Sequence, residues 1–331
     1  MRNSDQFIRE GNKLLGHPIE IVSGREEARL VYLGVSHSLA NDQGKQLVID
    51  IGGGSTEFII GRDFIPQELE SLNVGAASST QRFFPEGNLE ASAWERASVD
   101  IRLEILPIQK AFKKGNWSRA IGSSGTIKTT LNIILALELE RFCITLDALY
   151  AVRDMMIDAV HVDRLNLPRL SDDRRPVYAG GLAVLIAVFE ALNIDEMMVS
   201  EGALREGLLY DMVGRIRHED VRDRSIEELA KRFQVDATHA EQVTATAEAL
   251  FDQVAESWGL PFQERILLSW AAKLHEIGVS ITHNKHHYQG AYILKYAYVP
   301  GFSRREQIWI ATLIRSHRRK IDHTRFEDIP E

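Results

Sequence analysis

Residues 46–61, QLVIDIGGGSTEFIIG, place three consecutive glycines between two apolar, β-branched runs, with Asp50 before them and Glu57 after. Gly52, Gly53 and Gly54 permit positive φ and close approach of a ligand to the backbone. Successive amide N–H groups in such a turn form an anion-binding nest, and Ser55 and Thr56 add hydroxyl donors. An acid inside a strand as apolar as LVIDI needs a partner, because burying it alone is costly. A divalent cation is one such partner: Mg2+ favours one or two carboxylates together with substrate phosphates. The competing reading is a tight hairpin with a structural aspartate. Two better-known glycine loops are excluded. A dinucleotide fingerprint needs a helix after the glycines and a Walker loop needs G-K-[S/T], whereas STEFIIG reads as a strand.

A second small-residue turn, GSSGT (Gly122–Thr126), stands between a strand and a helix. Ser124, Gly125 and Thr126 would then sit at a helix N-terminus, which attracts anions, and Lys128 could add charge; an ordinary strand–helix turn is the alternative. GALREG (Gly202–Gly207) opens another helix, with Arg205 and Glu206 read either as cleft residues or as a structural ion pair. In the tail, KLHEIGVSITHNKHHYQGAYILK carries the doublet His275-Glu276 without a complete metal-ligand set. Its basic residues, with His286, His287, Arg318 and Arg319 foremost, read instead as the lining of a polyanion groove.

These residues need elements to position them. The pattern predicts helices over 4–15, 90–113, 147–162 and 176–194, and one after Ser23, where Ser23 and Glu26 can form a capping box. Strands are predicted over 18–22, 46–51 and 55–60, and before the GSSGT and GALREG turns. In LVIDI, alternation puts Val48 and Asp50 on one face and Leu47, Ile49 and Ile51 on the other. Strands alternating with helices to about residue 213 indicate an α/β layered domain. From 225 to 317 only helical periodicity remains, indicating a second, all-α domain.

Bulk properties narrow the class. The 331 residues are 44% hydrophobic and 26% charged, ordinary for a globular protein of about two domains. No apolar run reaches the roughly 20 residues of a membrane span, so no integral membrane segment is expected. The single cysteine, Cys143, excludes an internal disulfide and points to a reducing cytoplasm. A net charge of −8 argues against nucleic acid as a partner.

DIGGGSTE, with upstream SGREEARLVYLGV and downstream GSSGTIK and GALREG, resembles the exopolyphosphatase/guanosine-pentaphosphate phosphohydrolase family of the actin-like ATPase superfamily. The resemblance implies an α/β actin-like (ribonuclease H-like) domain followed by an all-α HD-like domain. It implies Glu27, the glutamate before Ala-Arg, as general base on the attacking water. It also implies Asp50 and Glu57 as holders of Mg2+ and that water. Substrates would be inorganic polyphosphate or, as the alternative, guanosine pentaphosphate, and a homodimer is allowed. The family's first clamp hairpin, D-x-G-S-N-S, is not found in these residues. The expectation is therefore a shortened form: 1–30 a remnant of a first half-domain, 31–213 the second half-domain with the phosphate loops, and 214–331 the HD-like domain. A non-catalytic polyanion-binding fragment is the rival of another class.

Overall fold

A computed structural model describes residues 4–39, 44–216 and 220–318. The chain forms two compact units, Met1–Glu26 with Gly214–Glu331, and Glu27–Val213.

Helix α1 (Ser4–Leu15) opens the chain and α2 (Gly24–Ser38) leads into the α/β unit. Strands β1 (Gln46–Ile51), β2 (Thr56–Arg62) and β3 (Ile65–Leu72) form an antiparallel meander. There follow α3 (Ala76–Phe83), α4 (Ala91–Phe112), β4 (Arg119–Ser123), α5 (Gly125–Ala136), β5 (Ile144–Thr145) and α6 (Leu146–Ala159), then α7 (Arg175–Leu192), β6 (Glu196–Val199) and α8 (Leu204–Ile216). The six strands lie in one sheet in the order β3-β2-β1-β4-β6-β5. β4 runs parallel to β1 and to β6, while β5 closes the far edge antiparallel. The unit is thus a mixed α/β domain, as the sequence pattern indicates.

Both sheet faces are covered, and the alternation of β1 is resolved as the sequence indicates. Leu47, Ile49 and Ile51 enter the larger core, made with α3 to α7. Val48 joins Ile59, Ile121 and the α2 residues Ala28, Val31, Tyr32 and Val35 on the opposite face. Those α2 positions recur at i, i+3, i+4 and i+7, the stripe of a helix laid on a sheet. α8 crosses α2 at backbone distance: a Cβ on Gly207 would overlap the Leu30 carbonyl, and one on Gly34 the Ala203 carbonyl. The GALREG glycines therefore serve close packing. A buried Arg29–Asp211 ion pair at 2.6 Å links the same two helices. α7 is the one described helix long and apolar enough to cross a membrane, and most of it is buried in the core of this unit.

The second unit is helical: α9 (Val221–Arg232), α10 (Ala237–Trp258), α11 (Phe262–Lys273), α12 (His286–Tyr296) and α13 (Arg304–Ser316). Its core gathers Ile226, Trp270, Leu274, Ile277, Leu294 and Ile310.

Two expectations change. Residues 18–22 are not a strand: the segment joins no ladder, and its recorded backbone bond is from Arg304 N–H to the Ile21 carbonyl at 2.9 Å. The helix expected to reach residue 162 ends at Ala159, where Val160 takes a φ of 62°. β3, for which the sequence pattern carries no expectation, pairs as an edge strand, where its exposed charge is tolerated. The Ser23 cap is present, its hydroxyl accepting from Glu26 N–H at 3.3 Å, while the Glu26 carboxylate accepts from Gly301 N–H at 3.0 Å.

Candidate active site

The register of the sheet builds the site. Asp50 lies directly opposite Glu57 on β2 and opposite Ser123 on β4, and Glu57 lies opposite Ser71 on β3. Directly paired residues share a face. Ser71, Glu57, Asp50 and Ser123 therefore form one row across four strands. That face is the α2 face, because Val48 and Ile59 stand two residues away on the same strands. Glu27 stands one helical turn before Val31, on the stripe that α2 lays on the sheet. Three carboxylates from three elements are thus brought to one end of one sheet face.

Their electrostatics are those of a site lacking a counterion. Burial raises the Asp50 carboxyl to about 7, with the charges of Glu57 and Glu27 adding to the rise and Lys128 opposing it. Burial and the Glu27 charge raise Glu57 to about 7, against hydroxyl hydrogen bonds from Ser55 and Ser71. Glu27, half-buried, is raised by desolvation. Lys128 relieves the cluster only in part, since its ammonium donates to the Glu201 carbonyl at 2.9 Å and carboxylate at 3.0 Å. An all-oxygen set of mutually repelling carboxylates suits a hard divalent cation such as Mg2+. The three do not converge tightly enough for one ion to bind all of them directly. Asp50 and Glu57 are the pair that would hold it, leaving positions for water and phosphate.

The glycine turn lies beside this row, with a geometry that corrects the expectation. None of Gly52, Gly53 and Gly54 takes a positive φ. The Gly52 amide donates to the Ser55 carbonyl at 2.9 Å. The Gly52 and Gly53 carbonyls accept from Ala76, Ala77 and Ser78 N–H, capping α3, and a Cβ on Gly75 would collide with Gly53 and Gly54. The glycines thus allow one backbone to lie on another. The exposed Gly53 and Gly54 have amides that meet no backbone acceptor among the described residues. Ser55 bonds Glu57. Thr56 is fully buried and its hydroxyl donates to the Val74 carbonyl at 2.6 Å, so its side chain ties the turn together and does not face a ligand.

The second loop is strained where a ligand would sit. Ser124 has φ 129° and ψ 162°, a region that favours glycine, while its hydroxyl accepts from Ile127 N–H at 3.3 Å. Gly125 and Thr126 follow as the first residues of α5, whose leading amides have no helical partner. The Thr126 side chain is buried, leaving its amide as the available donor. A Cβ on Gly125 would overlap the guanidinium of Arg174, which therefore lies over this helix end. Sequence reasoning missed both Arg174 and Ser71. Neither had a local signal: one lies about fifty residues from the loop it covers, the other on an unrecognised strand. Glu206 accepts from Ala203 N–H at 2.9 Å, and backbone hydrogen bonds lower its carboxyl, giving it a capping role.

The expected polyanion lining is not a surface groove at its centre. His286 and His287 are buried, at 5% and 4% exposure, because their rings pack in a histidine cluster. Arg318 is exposed, and Arg319 lies outside the described residues.

Comparison with known proteins gives a consistent picture. A model described as the Ppx/GppA phosphatase family matches residues 1–216, and one described as Ppx/GppA phosphatase, domain III, matches residues 221–331. The chain is 38% identical over 333 aligned positions to a protein of Pseudoalteromonas translucida named guanosine-5'-triphosphate,3'-diphosphate pyrophosphatase, covering 99% of this chain and 66% of that one. A protein of the same name from Vibrio cholerae is 37% identical over 96% of this chain and 64% of its own length. The chain thus spans about two-thirds of the length of these relatives. Among solved structures, an exopolyphosphatase from Cytophaga hutchinsonii shares the fold, with a TM-score of 0.56 and 23% identity over 63% of this chain and 70% of that one.

Proposed function

The chain belongs to the Ppx/GppA phosphatase family, and from this premise we propose that it hydrolyses the terminal phosphoanhydride of a phosphate-chain substrate at the Asp50–Glu57–Glu27 site. The observation that carries the proposal is the cross-strand pairing of Asp50 with Glu57, both raised to about 7, under the influence of Glu27. Phosphoryl transfer needs an in-line water and charge stabilisation more than covalent work by the protein. Glu27 orients that water and takes its proton; a carboxyl raised by burial lies closer to the working pH of a general base. Asp50 and Glu57 would hold Mg2+, which when bound supplies neutralising charge to the phosphoryl oxygens. The amides of Gly53 and Gly54, and the N-terminus of α5 with Arg174 above it, receive the phosphate oxygens.

Of the two substrates that the sequence suggests, the 37–38% identity to proteins named for guanosine pentaphosphate favours the nucleotide. Inorganic polyphosphate is the second reading, supported by the resemblance that DIGGGSTE carries. One cysteine supports a reducing cytoplasm, and a second copy of the chain is the proposed protein partner. The test is orthophosphate release from each substrate by the chain and by Glu27→Gln. A general base contributes roughly 10²- to 10⁴-fold, and a drop of that size is the expected result. Equal release by Glu27→Gln removes the catalytic assignment, and faster release from polyphosphate than from the nucleotide selects the second reading.

A further inference from the structure

The helical unit contains a group of metal-ligating side chains that the hydrolysis described above does not use. His239, His275 and Glu276 each offer a ligand atom within 4.8 Å of the others, the one such group of three among the described residues. They come from two places in the chain. His239 stands in the first turn of α10, where the Asp236 carboxylate caps the helix by accepting from His239 N–H at 3.1 Å. His275 and Glu276 stand in the turn after α11. The His275 ring also lies 5.5 Å from that of His317, at the end of α13, and the His317 ring lies 5.6 Å from that of His286, which begins α12.

The hydrogen bonds of these rings fix which nitrogen is engaged. Nδ1 of His275 contacts the Ala272 carbonyl at 2.7 Å, and Nδ1 of His317 the Ile314 carbonyl at 2.7 Å. A carbonyl only accepts, so each Nδ1 carries a hydrogen, and Nε2 is the nitrogen left to meet a ligand. A backbone carbonyl on one imidazole nitrogen is the usual outer-shell arrangement for a histidine that binds metal through the other. Nδ1 of His287 is buried without a hydrogen-bond partner. Arg315 lies beside His287 and repels a cation there. The carboxylate lies at the other end, beside His239 and His275.

We infer that His239, His275 and Glu276 form a binding site for one first-row divalent transition cation of the zinc class, with His317 adjacent as a further nitrogen donor. Two imidazoles and a carboxylate select such ions over Mg2+, which prefers all-oxygen surroundings. His239 is exposed, so the ion would keep a position open to water. Binding would tie the start of α10 to the turn after α11.

The test uses the full chain freed of metal with a chelator. Zn2+ alone is titrated by calorimetry, and Co2+ alone is followed by visible absorption and thermal unfolding. One equivalent bound with nitrogen coordination, and a rise in Tm with either ion, is the expected result. Loss of an outer-shell partner alone weakens metal sites roughly 10- to 100-fold, so His239→Ala and Glu276→Gln should weaken binding by at least about that much. Because His239 is exposed, His239→Ala should leave the metal-free Tm unchanged. A variant carrying Asp50→Asn and Glu57→Gln should bind Zn2+ as the wild type does. Three results overturn the inference: no binding by the wild type, unchanged affinity in His239→Ala, or loss of binding in the Asp50/Glu57 variant instead. Tripolyphosphate binding that His239→Ala weakens, with no Zn2+ binding, overturns it in favour of an anion site.

Discussion

The acid row of the α/β unit and the histidine cluster of the helical unit are opposite answers to the same cost. Burial disfavours the charged form of both. In the row it raises Asp50 and Glu57 to about 7, so near neutral pH the site is part-ionised and repels itself. In the cluster it lowers His287 and His317, which favours the neutral form of those two rings. The first arrangement offers oxygen and negative charge, which suits a hard cation and then phosphate. The second offers nitrogen without charge, apart from Glu276, which suits a softer ion. Burial by itself therefore does not say what a site binds; the donor atoms and the sign of the residual charge do.

The largest effect that sharpens this contrast is on turnover. Asp50→Asn removes a carboxylate from the proposed Mg2+ pair while keeping its shape. A lost metal contact is worth several kcal/mol of transition-state stabilisation, so orthophosphate release should fall by roughly 100-fold or more. The apparent Mg2+ requirement should rise, and Zn2+ binding at the histidines should stay as in the wild type. If Asp50→Asn lowers release without changing the Mg2+ requirement, the carboxylate is not a metal ligand. At about pH 8 the same variant should melt roughly 2–6 °C higher without Mg2+, since it removes a repelling charge from a buried cluster.

A smaller effect is confined to the second phosphate loop. Relief of a glycine-like φ is worth about 1–3 kcal/mol, and replacing a serine N-cap by glycine costs only a few tenths. Ser124→Gly should therefore stabilise the chain by about 1 kcal/mol, read as a rise of a few degrees in Tm. No gain would mean that the strain at φ 129° is not carried by the serine.

How legible each region was follows from how its residues are spread along the chain. Asp50, the glycines and Glu57 lie within eight consecutive residues, and a hairpin fixes which of them face each other. The alternation of LVIDI also gave the face on which Asp50 lies. The glycines were read for the wrong property, however. They are needed because α3 caps itself on their carbonyls and Gly75 lies against them, a tertiary demand invisible in the turn itself. Thr56 was offered as a ligand donor on residue type alone, and its hydroxyl is used inside the fold. Ser71 needed β3, an edge strand whose glutamates and proline carry little strand signal. The histidine site was harder still. His275-Glu276 was visible as a doublet without partners, because His239 lies 36 positions upstream (275 − 239) and joins it only through the packing of α10 beside α11.

The most direct test of the acid row needs no substrate. Asp50 and Glu57 have ordinary values of 3.8 and 4.5 and folded-state values of about 7. Between these limits the folded chain holds more protons than the unfolded one. Stability therefore falls as pH rises, and the loss is complete above about pH 7. Melting should be followed from about pH 5.5 to about pH 8, with and without Mg2+, for the wild type and for the Asp50→Asn/Glu57→Gln variant. The expected result is a falling Tm in the metal-free wild type, a shallower fall with Mg2+, which binds the ionised pair in the folded state, and little of either dependence in the variant. A fall of Tm that ignores Mg2+, or that persists undiminished in the variant, contradicts the claim that these two carboxylates form a cation site.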